Sequence, residues 1–189
     1  MIRFIHIPKT GGSSVRKFLL DNDIPHKFGK FIEQDDGTTI YFKKHKPAYW
    51  WINKFPNETN FFTVVRNPYY RLISYYRYLI KEKYLDFIEW EKFVTNKINV
   101  EGHYVWNLQI EWIYDISLQN QIVDHILKFE NLENNVCSFF NVNKSFPKIN
   151  ITNNNLDYQS MYLSDPKIVD IIYNHFKDDF IKLNYNSTL

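Results

Sequence analysis

A single cysteine, Cys137, rules out a disulfide framework within these 189 residues. It stands in Val136-Cys137-Ser138-Phe139-Phe140, where a small buried hydrophobe is expected rather than a nucleophile. No apolar run approaches the roughly 18 residues of a membrane span. Met1 to Ile7 is too short for the apolar core of a signal peptide and runs straight into a polar loop, so a cytoplasmic protein or a bare catalytic domain is expected. Charge of one sign is also scarce. The formal net charge of +2, with no charge block, argues against nucleic-acid binding through bulk charge, so any anion site must be local. Repeats and low-complexity linkers are absent, and the length suits one domain over residues 1–189.

Aromatic residues, by contrast, are plentiful at 19%, which supports dense packing and aromatic-lined surfaces. Ile2 to Ile7 alternates and is β-branched, so it reads as a strand. The loop from Pro8 feeds a helix marked by Val15, Phe18 and Leu19, with Ser13 or Ser14 as the expected cap. Residues 25–38 look irregular, with a turn at Asp35-Asp36-Gly37, and Thr39 to Phe42 reads as a short strand. Asn60 to Val65 is the compact apolar run of a buried parallel strand. A helix from about Tyr69 follows, with Leu72, Ile73, Tyr76, Leu79 and Ile80 on one stripe. Helical stretches are expected at 87–95 and 105–114, a strand at 122–129, a helix at 132–140 and a closing amphipathic helix at 166–183. The alternation predicts an α/β domain with a mainly parallel sheet, in which strands 1–7 and 61–65 are neighbours or near-neighbours.

The most informative segment is Ile7-Pro8-Lys9-Thr10-Gly11-Gly12-Ser13-Ser14. A strand enters a loop with a lysine, two glycines and three hydroxyls, and the loop opens a helix. Glycines let main-chain N–H groups approach a phosphate, the helix N-terminus adds positive potential, and Lys9 supplies a movable charge. The order of residues differs from the G-x-x-x-x-G-K-[ST] loop of ATPases and GTPases, since Lys9 precedes the glycines.

His6-Ile7-Pro8-Lys9-Thr10-Gly11-Gly12-Ser13-Ser14 resembles the phosphosulfate-binding loop of the carbohydrate sulfotransferases. Val65-Arg66-Asn67-Pro68-Tyr69-Tyr70-Arg71-Leu72-Ile73-Ser74 resembles the 3′-phosphate segment of the same family, with Arg66 and Ser74 eight residues apart. A third stretch, Ile122 to Glu133, resembles the family's strand followed by Arg-Phe-Glu-Asn-Leu. Lys128 stands here for the usual arginine, keeping the charge and losing the bidentate fork. Residues 146–150 and 178–185 resemble the family's C-terminal pattern more weakly, and residues 82–120 match it poorly.

The resemblance implies a P-loop-like three-layer fold and a donor, 3′-phosphoadenosine 5′-phosphosulfate (PAPS), with PAP as product and no metal. It assigns the donor to Lys9, Thr10, Gly11, Gly12, Ser13, Ser14, Arg66 and Ser74, and the acceptor to a hydroxyl, expected on a glycan. Arg66 can fork onto phosphate oxygens and Ser74 can donate a hydroxyl from two turns into the helix. Arg71 and Arg77 read alternatively as solvated helix charges.

Lys9 and His45 are the expected catalytic pair. His45, in Phe42-Lys43-Lys44-His45-Lys46-Pro47, falls where glycan-directed members often place a catalytic histidine, and neighbouring lysines favour its neutral form. Glu33 and His103 are the alternative bases, and His6 reads as a structural residue pointing back along its strand. Two other functions stay open at this point. One is a kinase with an atypical loop, for which Asp124 is the best Mg²⁺ ligand although it is expected inside a strand. The other is a non-catalytic nucleotide- or glycan-binding module.

Overall fold

The computed structural model describes residues 1–28, 30–33, 39–42, 45–57, 59–149 and 162–187, with the main chain alone for 30–33 and 39–42. It divides into two compact units, Met1–Val65 with Glu111–Asn150, and Arg66–Ile110 with Ile151–Leu189.

The first unit holds a four-stranded sheet. Its strands are β1 (Ile2–Ile5), β2 (His26–Lys27), β5 (Phe61–Val65) and β6 (His125–Lys128), in the order β2-β1-β5-β6. All pairings are parallel, with Arg3 opposite Phe61 and Val65 opposite Lys128. The carboxyl ends of β1, β5 and β6 therefore share one edge, where open α/β sheets bind ligands. A separate antiparallel hairpin joins β3 (Lys30–Glu33) and β4 (Thr39–Phe42). The expected irregular stretch thus contains β2 and β3, while the turn expected at Asp35-Asp36-Gly37 lies outside the described residues.

Side-chain alternation sorts the sheet's faces. Phe4, Phe62 and Val64 pack with Val15, Phe18 and Leu19 of α1 (Gly12–Asp21) and with Val136 of α6 (Leu132–Phe139). On the other face the Arg3 guanidinium lies 3.8 Å over the ring of Trp51, which is buried in α2 (Ala48–Lys54). Helices on both sides of a parallel sheet give the α/β architecture that the strand–helix alternation implied and the three layers that the resemblance implied. Each fully buried side chain among these contributes about 1.5–3 kcal/mol.

The second unit is helical. Pro68 occupies the first turn of α3 (Pro68–Lys81), and the Asn67 side chain accepts the Tyr69 N–H at 3.0 Å. Tyr69, Leu72, Tyr76 and Leu79 of α3 pack against Phe93 and Val94 of α4 (Trp90–Thr95) and against α7 (Pro166–Lys182). Ile168, Ile172, Phe176 and Phe180 form the apolar stripe of α7, which bends at Phe176. The helix expected over 105–114 shrinks to α5 (Ile110–Ile113). Arg71 accounts for this: its Nη1 and Nη2 donate to the carbonyls of Asn107 and Tyr104 at 2.9 and 3.1 Å and so claim acceptors that a helix through the segment would use. No helix among the described residues is long and apolar enough to cross a membrane.

Candidate active site

After β1 the chain stays buried through His6, Ile7 and Pro8 and then turns twice through left-handed backbone, at Lys9 (φ 68°) and Gly11 (φ 82°). A residue with a Cβ pays roughly 1–2 kcal/mol for that conformation, so strain is stored at Lys9. The buried Thr10 hydroxyl donates to the Ile7 carbonyl at 2.9 Å and so closes the loop.

A Cβ at Gly11 would stand 2.7 Å from Leu132 Cδ2 and 3.0 Å from the Phe129 ring, so the segment after β6 backs the loop directly. Gly12 is needed for another reason. A Cβ there would lie 1.9 Å from His6 Nε2. The imidazole of His6 stacks back on Phe4, with ring centres 5.5 Å apart, and also rests on the first residue of α1.

Neither Ser13 nor Ser14 caps α1. Its N-cap is Gly11, with no side-chain cap and no acidic residue in the first turn. The positive end of this ten-residue helix thus receives no carboxylate from its own first turn, which suits an anion-binding terminus. Ser13 is exposed there, and the buried Ser14 uses its Oγ to accept the Ile149 N–H at 3.0 Å.

His45 joins the same unit through His6. Its Nδ1 lies 3.0 Å from the His6 main-chain oxygen, and the two rings are 4.5 Å apart. A carbonyl can only accept, so Nδ1 carries the hydrogen. A cavity of about 310 Å³ opens beside His6, lined also by Ser13, Arg16, Lys17, Phe28 and Ile149. The Arg16 guanidinium lies 5.3 Å from the centre of the Phe28 ring. Glu33 lies on β3, whose side chains are outside the described residues, as are Lys43 and Lys44; Lys46 sits 5.5 Å from the centre of the Trp50 ring. Lys128 ends β6 opposite Val65 and is half-buried.

The second unit carries the other expected residues. Arg66, directly after β5, is half-buried, and Ser74 is half-buried two turns into α3. Arg71 is no solvated charge: it is 1% exposed and committed to the Asn107 and Tyr104 carbonyls. His103 lies among the rings of Tyr75, Tyr78 and Tyr84 at 6.2, 6.0 and 4.7 Å.

Residues 1–186 match the model of the sulfotransferase family. The chain belongs to that family. A crystal structure of a sulfotransferase from Alicyclobacillus acidocaldarius matches with a TM-score of 0.54 at 14% identity, covering 97% of this chain and 93% of that one. No curated protein sequence matches. The family makes the chain an enzyme of sulfuryl transfer, and it implies PAPS as donor and a hydroxyl as acceptor.

In this sulfotransferase Asp124 is not placed for a kinase's metal. It precedes β6 rather than lying inside it, and its Oδ2 accepts the Phe61 N–H at 2.7 Å. That position is the amino edge of the parallel sheet, opposite the edge from which the Lys9 loop leaves.

His6, expected to be structural and to point back along its strand, stacks on Phe4 and packs on Gly12 and His45. Two residues around the candidate sites, Gln109 and Asp179, were given no role in the sequence reading. Gln109 grips the main chain of Arg66: Oε1 accepts the Arg66 N–H at 2.9 Å, and Nε2 donates to the Arg66 carbonyl at 2.8 Å. Asp179 in turn accepts the main-chain N–H of Gln109 at 2.8 Å and of Ile110 at 3.0 Å. Burial pushes its pKa up to about 6, although those hydrogen bonds and Arg71 oppose the rise. A signal for Asp179 existed: a carboxylate on the apolar stripe of a helix, between Phe176 and Phe180, must be bonded internally.

Proposed function

We propose that this enzyme transfers the sulfuryl group of PAPS to a carbohydrate hydroxyl, with His45 as general base. The observation that carries the reading is the α1 terminus, without a side-chain cap, behind the Lys9–Ser14 loop in the same unit as an imidazole whose Nδ1 is fixed by the His6 carbonyl. The donor set suits an anion: a lysine, an exposed serine and a helix N-terminus with no acidic side chain in its first turn. PAPS, when bound, supplies an activated sulfuryl group on a phosphate leaving group.

His45 Nε2 takes the proton from the acceptor hydroxyl as its oxygen bonds to sulfur and the bridging S–O bond breaks. Lys9 meets the charge that develops on the departing phosphate. Arg66 and Ser74 bind the 3′-phosphate, which separates PAP from AMP. The cavity beside His6 receives the acceptor: the Phe28 ring offers an apolar face for a sugar, and Arg16 suits an acidic one.

The test combines turnover and binding. PAPS is incubated with a panel of neutral and acidic glycans, and PAP release and the sulfated product are followed together. PAP release with a sulfated glycan is expected, while PAP binding without turnover on any hydroxyl acceptor overturns the catalytic reading. Calorimetry should show PAP binding far better than AMP, and Arg66→Ala should remove about 1.5–3 kcal/mol of that preference. Equal affinity for PAP and AMP in the parent would refute the assignment of Arg66.

A further inference from the structure

Arg66 must present its guanidinium from a residue that belongs to neither the strand before it nor the helix after it. β5 ends at Val65 and α3 begins at Pro68, so Arg66 gains no hold from a regular ladder or turn of its own. The Gln109 side chain substitutes for one. Its amide imitates a peptide group, accepting from Arg66 N and donating to Arg66 O, so that both main-chain polar groups of one residue are held by one side chain.

Gln109 is itself 0% exposed and is held from behind. Asp179 takes its main-chain N–H at 2.8 Å, and the second amide hydrogen of Nε2 points to the same carboxylate at 3.4 Å. The segment leading to Gln109 is pinned further by Arg71 on the Asn107 and Tyr104 carbonyls, and by the Tyr75 hydroxyl, which accepts the Tyr104 N–H at 3.0 Å. Three buried side chains, Asp179, Arg71 and Tyr75, thus hold the segment from which a fourth, Gln109, grips the main chain of Arg66. A network this desolvated is costly when incomplete and specifies one geometry when complete.

We infer that Gln109, braced by Asp179, is the positioning residue that aims Arg66 at the 3′-phosphate of the donor. This rests on the reading of Arg66 as the 3′-phosphate residue. Gln109 itself touches no donor atom; it acts by fixing φ and ψ at Arg66, so that the guanidinium is delivered without loss of main-chain freedom on binding.

The test reads the ratio of PAP to AMP affinity by calorimetry in the parent, Gln109→Leu and Gln109→Asn. The asparagine variant keeps an amide but is one methylene too short to span both Arg66 groups from the same anchorage. Circular dichroism melting identifies which variants fold. The expected result is a ratio lowered about tenfold in either folded variant, AMP affinity holding steady, because one or two hydrogen bonds' worth of positioning is lost. Adding Arg66→Ala to Gln109→Asn should lower the ratio no further than Arg66→Ala alone, as coupled residues require. A purely structural role would lower PAP and AMP affinity alike and leave the ratio standing, and that result overturns the inference. A parent that does not distinguish PAP from AMP overturns instead the reading of Arg66 on which the inference rests.

Discussion

Lys9 and Arg66 each follow a strand of the same parallel sheet, yet the two segments are built by opposite means. Around Lys9 the main chain does the shaping. Two left-handed residues, a glycine packed against Leu132 and Phe129, and a glycine under His6 bend the loop over the helix terminus. The Arg66 main chain is held by a side chain far away in sequence, Gln109, which Asp179 holds in turn, with Arg71 pinning the segment that carries Gln109. Under the proposed function, the difference separates two kinds of anion site. A loop whose own conformation makes the site must be contiguous, whereas a residue aimed by a clamp can have its support anywhere in the chain.

The largest effect that would break this comparison belongs to the first unit. Replacing His45 by Ala should lower turnover about 10²–10⁴-fold with PAP affinity unchanged, since a general base acts on the acceptor side. The measurement is steady-state turnover alongside PAP calorimetry. A variant that keeps near-parental turnover on a working acceptor moves the base elsewhere, with Glu33 the next residue to replace and His103 after it.

The second unit should show itself through pH. The Asp179 carboxyl has its folded pKa raised to about 6 from 3.8, so the folded state binds more protons than the unfolded state between those values. Its contribution to stability is full below about pH 4, falls as pH rises through 6 and is constant above. A shift of about two units corresponds to about 3 kcal/mol. Urea midpoints for the parent and Asp179→Asn between pH 4 and 7 measure it. The parent's advantage over the variant should shrink across that window, and an advantage that grows would mean that the Gln109 and Ile110 N–H groups and Arg71 hold the carboxylate ionised.

A smaller change sharpens the contrast from the side of the loop. Gly12→Ala drives a methyl group into the buried His6 ring and should cost about 1–3 kcal/mol in a melting experiment, as overpacking does. Gly12 has no left-handed φ, so backbone strain adds nothing. Combining it with His6→Ala should recover part of the loss relative to the sum of the single changes. Strict additivity would show that the His6 ring is not what the glycine accommodates.

These contrasts explain which parts were readable in the sequence. The strands at 2–5 and 61–65, their parallel pairing and the helices at 68–81 and 166–182 follow from local patterns of apolar residues. The loop was readable because its parts are neighbours, Lys9 to Ser14. Its cap was not, because the glycine that turns the chain, Gly11, also caps the helix, two residues before the first of the serines expected to do so. The helix expected over 105–114 failed since period alone does not reveal that a buried Arg71 claims two carbonyls of the segment. Gln109 carries no local signal at all: its meaning lies in a pairing with Arg66, 43 positions away.

The smallest effect expected lies in the first unit, at an exposed turn. Asp115 accepts hydrogen bonds from the Ser117 hydroxyl at 2.7 Å, the Asn120 side chain at 2.7 Å and the Gln119 N–H at 3.0 Å. The Ser117 and Asn120 bonds, the former most, lower its pKa from 3.8 to about 2. The sign is the reverse of that at Asp179: with the folded value depressed, the stabilisation is present above about pH 4 and is lost as pH falls toward 2. Because the group is solvent-exposed, the loss should be a fraction of that at Asp179 and should weaken further in salt. Melting temperatures of the parent and Asp115→Asn from pH 2 to 5 should therefore converge as pH falls. If they stay parallel down to pH 2, the turn draws nothing from the ionised carboxylate and the lowered pKa is not coupled to folding.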